Sequence, residues 1–185
     1  MKFQEHYFSE KSVRPAIHKD ILFVHEYSSP RNRQRTDEEK RVREVAYAIK
    51  DKTNLEAIST AGKEMANLVN SGNILIPIPN SKGNTEANKL LADEIATNSG
   101  ATVKDILGVK KPRESNLLRS KEGKARIKPT KMGLELTDVI EDARNVLFVD
   151  NVAASGSSIR AAVNLINGGR GLVYAKVPMI KKKVY

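Results

Sequence analysis

The chain predicts an α/β fold: a single doubly wound, mainly parallel sheet with helices on both faces. Three observations carry this. Short aliphatic runs recur around Ile21–Val24, Asn73–Pro79, Val146–Val149 and Gly171–Pro178. The run at Val146–Val149 lacks the polar alternation of a half-exposed strand, so it suits a strand buried on both faces. Between the runs lie segments whose apolar residues recur at helical spacing, and 185 residues suit one domain with a two-sided core.

Composition narrows the function classes. Hydrophobic content of 39% with only 5% aromatics is ordinary for a domain built on aliphatic strands. No apolar run approaches the ~20 residues needed to span a bilayer, and the N-terminus lacks the apolar core of a secretion signal. The absence of cysteine excludes disulfides, thiol catalysis and Cys-ligated metal. Cytoplasm is the default compartment. A net charge of +10 admits contact with nucleic acid, but the cations are spread along the chain and stacking aromatics are scarce. A ligand with several phosphates needs the same charge.

In chain order, residues 1–20 are mixed and polar, fitting an edge strand or part of a hood, and Ile21–Val24 is of strand type. The loop at 28–35 holds Arg31, Arg33 and Arg35 beside two serines, a phosphate contact or a solvated loop. Thr36 with Glu39 forms a capping box that opens a helix from about Asp37 to Lys50, burying Val42, Val45, Ala46 and Ile49. A second helix spans about 54–69 and stops near Gly72.

Asn73–Pro79 is a strand whose two prolines demand an irregular end. Asn80, Ser81, Lys82 and Gly83 follow, and a helix from about Thr85 to Asn98 turns Ala87, Leu90, Leu91 and Ile95 inward. A glycine free to take unusual φ, amides converging at a helix start and a lysine describe an anion site, suited to pyrophosphate. A solvated loop lysine is the alternative reading of Lys82.

Ala101–Leu107 reads as a strand. The segment 108–133 is strongly basic and rich in breakers, and insertions of this length are functional or disordered. It reads as a functional loop or else a flexible solvated arm.

The central stretch is Asn145–Ile166. Its strand ends at Asp150 and Asn151, passes Val152 and Ala153, and reaches the small-residue loop Ala154, Ser155, Gly156, Ser157 and Ser158. A helix follows with Ile159, Ala162, Val163 and Ile166 on one side. The first amides of a helix have no internal partners, so a Ser- and Gly-rich entry can hold a phosphate. Asp150 and Asn151 stand at the strand's carboxyl end, where open α/β sheets bind ligands. A plain βα turn with Ser and Gly as caps is the alternative. Asn167, Gly168 and Gly169 supply the C-cap before the last strand.

The central stretch resembles the phosphoribosyl-diphosphate (PRPP) signature of type I phosphoribosyltransferases: a hydrophobic strand, two acids, two hydrophobics, and a Ser/Thr- and Gly-rich loop opening a helix. The resemblance covers roughly residues 70 to 178. It implies that Asp150 holds ribose hydroxyls and that Ala154 to Ser158 grip the 5′-phosphate. Asn151 departs from the pattern, which has a second acid there. Pro77-Ile78-Pro79, Lys82-Gly83, Glu86-Ala87 and Leu91-Ala92 are similar to the ComF-like group, in which this loop (Asn80 to Gly83 here) contacts pyrophosphate. The insertion occupies the family's place for a mobile active-site loop, with Arg113, Ser115, Leu118, Arg119 and Arg126 resembling that group's basic stretch.

The resemblance implies one phosphoribosyltransferase-like domain with residues 1–35 as hood or extension. It implies a glycosyltransferase of nucleotide metabolism that takes PRPP and a nucleobase-like molecule and displaces pyrophosphate. In that chemistry Asp150 and Asn151 orient ribose, while Lys82, Arg113 and Arg119 stabilise the leaving group. Mg²⁺ is implied by the pyrophosphate, with Asp150 acting on it only through ribose hydroxyls. A homodimer is compatible with it. Ala154 disfavours 6-oxopurine salvage, because those members carry an Asp there; adenine-, orotate- and ComF-like acceptors remain open. Residues after the last strand often wall the base pocket, making Tyr174 and Met179 candidates. Two other classes stand beside the enzyme: a non-catalytic PRPP- or nucleotide-binding protein, regulatory or tied to DNA handling, and another phosphosugar-binding α/β protein.

Overall fold

A computed structural model describes residues 20–26, 36–125 and 127–177. The expected hood at 1–35 lies outside these except for 20–26, as do Arg31, Arg33, Arg35, Arg126 and Met179. Strands are β1 (Ile21–Glu26), β2 (Ile74–Pro77), β3 (Thr102–Val103), β4 (Leu107–Val109), β5 (Leu134–Leu136), β6 (Val146–Ala153) and β7 (Arg170–Lys176). Helices are α1 (Asp37–Ala48), α2 (Leu55–Ala66), α3 (Glu86–Ser99), α4 (Asn116–Lys121) and α5 (Ser157–Ile166).

The main sheet has the order β1-β7-β6-β2-β3, and every neighbouring pair is parallel. Strand β6 lies at its centre, and the alternation of its side chains explains its unbroken apolar sequence. Leu147 and Val149 join Val42, Ala46, Met65, Leu91 and Ile95 beneath α1, α2 and α3. Val146 and Phe148 join Ile159 and Ala162 of α5 on the opposite face. A strand covered on both sides has no solvent face to mark with polar residues.

Local signals fix the helices. Thr36 and Glu39 form the expected capping box, with Glu39 N–H donating to Thr36 Oγ1 at 3.2 Å and Thr36 N–H to Glu39 Oε2 at 3.0 Å. Helix α5 ends at Asn167, in the left-handed region at φ 50°. Helices α2 and α3 approach closely at Gly62, where an added Cβ would stand 2.3 Å from Glu94 Cγ.

The structure divides the strand expected at Ala101–Leu107. Thr102 and Val103 pair with β2, and Lys104 N–H still donates to Leu75 O at 2.9 Å. Asp105 then accepts from Thr85 Oγ1, and Leu107 starts β4, which pairs antiparallel with β5 apart from the main sheet. The polar pair Lys104-Asp105 ends the first ladder, while Ile106 and Leu107 turn into the α5-side core.

The 108–133 segment also carries structure of its own. Asn116 Oδ1 accepts from Ile127 N–H at 2.7 Å and Asn116 Nδ2 donates to Ile127 O at 3.4 Å, closing the segment around α4. Glu114 pairs with both Arg119 and Lys124.

Candidate functional site

Strand β6 delivers Asp150 and Asn151 to the carboxyl edge of the sheet, and the chain then turns through Ala154, Ser155 and Gly156 into α5. Gly156 takes φ 66°, a left-handed conformation that a side chain would strain. Among the described residues no side chain caps the α5 N-terminus, whose N-cap is Gly156. Its first amides are left for solvent or a ligand. Ser155 Oγ and Ser157 Oγ share a hydrogen bond of 2.9 Å.

All five residues from Ala154 to Ser158 line one cavity of about 480 Å³, together with Asp150 and Asn151. Its other walls come from the end of α1 (Tyr47, Lys50), the loop after β2 (Asn80, Ser81, Asn84), α3 (Asn88) and the insertion (Arg113, Ser115, Asn116). That volume lies within the roughly 300–1,000 Å³ typical of small-molecule pockets.

Asp150 is partly buried, and burial pushes its carboxyl up to about 6 against the opposing pull of the Asn151 N–H and Asn88. Both of those donors reach Oδ1, at 2.8 Å from Asn151 N and 3.2 Å from Asn88 Nδ2. Neither reaches Oδ2. The adjacent Asn151 is buried and turned the other way, donating its side-chain amide to Ala46 O of α1 at 2.9 Å.

The loop after β2 wraps around its own first residue. Asn80 Oδ1 accepts from the amides of Lys82 at 2.8 Å and Asn84 at 3.1 Å, and Gly83 N–H donates to Asn80 O at 3.0 Å. Gly83 takes φ 90°, as its sequence position suggested. These three amides therefore close the loop in this conformation, and Asn80 and Ser81 form its cavity wall. The side chain of Lys82 is exposed, and neither it nor Gly83 lines the cavity.

Of the insertion's expected cations, Arg113 reaches the cavity and Arg119 does not. The Arg113 backbone donates to Ser81 O at 2.8 Å, tying the insertion to the β2 loop. Its side-chain Nε donates to Met132 O at 3.0 Å, and burial draws the guanidinium below its ordinary value. Arg119 is held within the insertion by Glu114 at 3.1 Å and by Ala125 O at 2.7 Å.

Tyr174 is a core residue, fully buried in edge-on contact with His25 at 5.0 Å, and it stands off the cavity. Burial also draws Lys176, at the end of β7, down to about 8, with its ammonium 4.9 Å from the Phe23 ring centre.

Sequence reasoning missed Tyr47, Lys50 and Asn88. Asn88 carries a signal in retrospect, as one polar residue on the inward stripe of Leu91, Ala92 and Ile95. Arg43, Tyr47 and Lys50 share a helical face, with each cation 5.4 Å from the Tyr47 ring centre. Helical spacing alone does not distinguish that face from ordinary solvated surface.

No protein-family model matches the chain, and no curated protein matches it. Among the described residues, no helix is long and apolar enough to cross a membrane.

Proposed function

We propose that this chain has a type I phosphoribosyltransferase-like fold, binds PRPP, and transfers phosphoribose to or from a nitrogenous base. The observation that carries this reading is the sharing of one cavity by Asp150 and the uncapped Ser155–Ser158 helix entry. A 5′-phosphate on the α5 amides leaves ribose beside Asp150 and its diphosphate toward Ser81 and Arg113. In the forward direction a base nitrogen donates its lone pair to ribose C1. The bond from C1 to the diphosphate oxygen breaks with its electrons on the diphosphate, and the nitrogen loses its proton to solvent.

Catalysis of such a step rests on position and charge. Asp150 Oδ2 accepts from ribose hydroxyls, and Arg113 faces negative charge growing on the leaving group. Among the described residues no cluster of three or more His, Asp or Glu could hold a metal. In this proposal Mg²⁺ would be carried by the diphosphate and its waters and would neutralise phosphate charge, with Asp150 acting on it only through ribose hydroxyls. The hood reading of residues 1–35 and a homodimer belong to the same proposal.

A second reading is a PRPP- or nucleotide-binding protein without transfer activity. The hydrogen bond from Asn151 to Ala46 O favours it, because it leaves one acid at the ribose position. Calorimetric titration with PRPP and Mg²⁺ tests both. Saturable binding that is lost in Asp150→Ala and Ser157→Ala supports the site, and pyrophosphate release on adding nucleobases separates transferase from binder. No binding at millimolar PRPP sinks the transferase reading and leaves a nucleotide-fold protein whose basic surface is then tested against DNA and RNA.

A further inference from the structure

The last turn of α1 contains a carbonyl that its own backbone leaves without a partner. Ile49 N–H donates to Val45 O, Lys50 N–H to Tyr47 O and Asp51 N–H to Ala48 O, passing over Ala46 O. Asn151 Nδ2 supplies the missing donor at 2.9 Å, across 105 residues of sequence, and Ala46 and Asn151 are both buried. A buried carbonyl without a donor is destabilising. A carboxylate at 151 could not donate, and it would face both that oxygen and the negative end of the α1 dipole.

Lys50 lies in the turn just past α1, four residues after Ala46, and it lines the cavity. Its charge reaches far enough to pull on the Asp150 carboxyl. Lys50 and Arg113 are the two cations among the described residues lining the cavity, and Arg113 has Met132 O on its Nε.

We infer that Asn151 is a positioning residue whose hydrogen bond to Ala46 O holds the end of α1 against β6, so that Lys50 serves as a cation for the ligand's diphosphate. The identification of the anion rests on the function proposed above; the Asn151 clamp does not. Asn151 is then required as a donor, and the missing second acid is a consequence of where α1 ends.

Asn151→Asp makes the two accounts predict opposite signs. If residue 151 holds ribose, an acid tightens PRPP binding; if it clamps α1, an acid weakens it. The experiment titrates the full chain with magnesium pyrophosphate and with PRPP by calorimetry, for the wild type, Lys50→Met, Asn151→Asp, Asn151→Ala and the Lys50→Met/Asn151→Ala pair. Lys50→Met should weaken pyrophosphate about tenfold, and Asn151→Ala by a similar factor. The pair should be little worse than either single change, because Lys50 is already displaced without the clamp. Additive losses, or tighter PRPP binding by Asn151→Asp, would overturn the inference.

Hydrogen exchange without ligand separates its failure from failure of the transferase reading. Amides 49–51 should exchange faster in Asn151→Ala even if PRPP does not bind at all. Unchanged exchange there refutes the clamp, and a wild type that ignores pyrophosphate refutes the role of Lys50. Asn151→Ala adds no charge, so it decides the matter if Asn151→Asp does not fold.

Discussion

Asn88 joins three elements through one nitrogen: its Nδ2 donates to Ile78 O at 2.7 Å and to Asp150 Oδ1 at 3.2 Å. Helix α3, the chain after β2 and strand β6 thereby meet at the acid of the candidate site. Asn88→Ala removes one of two donors to that carboxylate. We expect the Asp150 pKa to rise further, and stability to fall by about 1–2 kcal/mol for the lost pair. Carboxyl chemical shifts followed against pH, with denaturant unfolding, would check both.

Asp150 gives stability a pH dependence of defined sign. Its carboxyl rises from the ordinary 3.8 to about 6 because burial disfavours charge. Its contribution to stability is therefore present below about pH 4 and lost as pH rises through about 6. Each pKa unit corresponds to about 1.4 kcal/mol. Asp150→Asn should flatten this part of the profile and leave the protein at least as stable at pH 7.5. Ligand affinity should run the other way in the wild type, strengthening as pH rises through 6 and the carboxylate forms. Unfolding curves at pH 5 and 7.5, paired with titrations at the same pH values, test the opposition.

Asn116 closes the basic insertion by bonding both the N–H and the C=O of Ile127. Asn116→Ala should open it without disturbing the main sheet, at a cost of about 1–2 kcal/mol confined to that segment. Limited proteolysis by trypsin should then cut within 119–128 several-fold faster, while exchange protection of β6 and β7 stays unchanged. Equal cutting rates would show that other contacts hold the insertion.

Gly62→Ala tests the contact between α2 and α3. The new methyl meets Glu94 Cγ at 2.3 Å and Cβ at 2.8 Å, too near the α3 backbone for a rotamer change alone to relieve. Overpacking of this kind costs about 1–3 kcal/mol despite the gain in helix propensity. Thermal unfolding of Gly62→Ala beside Ser59→Ala, whose hydroxyl bonds the same Glu94 at 3.1 Å, would separate steric from polar effects.

The parts legible in the sequence were those whose physics is local or periodic. The run Val146–Val149 announced its burial on both faces, Thr36 and Glu39 announced a helix start, and Asn167 with its glycines announced a helix end. Asp150 and the Ser155–Ser158 entry were legible as a site for the same reason, since strand, turn and helix are contiguous. The remaining wall was not. Tyr47, Lys50 and Asn88 reach the cavity because α1 and α3 end or begin beside β6, a tertiary fact with no mark in spacing. The insertion read as a mobile basic loop or a solvated arm because Asn116, Glu114 and Arg119 hold it by side-chain bonds that leave no hydrophobic period. The division at Lys104-Asp105 was likewise hidden, because Val103, Ile106 and Leu107 look alike although they enter different cores.

Strand β1 takes its place at the sheet edge by pairing with β7, Ile21 against Gly171 and Glu26 against Lys176. Among the described strands, the first in chain order therefore has the last as its partner. Among the described residues β1 has no other ladder to join, so it waits for β7, and closing so long a loop slows its docking. During synthesis the apolar run Ile21–Val24 is an unpaired strand able to join other nascent chains. A chain interrupted before residue 170 leaves that strand permanently unpaired, so chaperone demand should be set by translation time rather than by the stability of the finished fold.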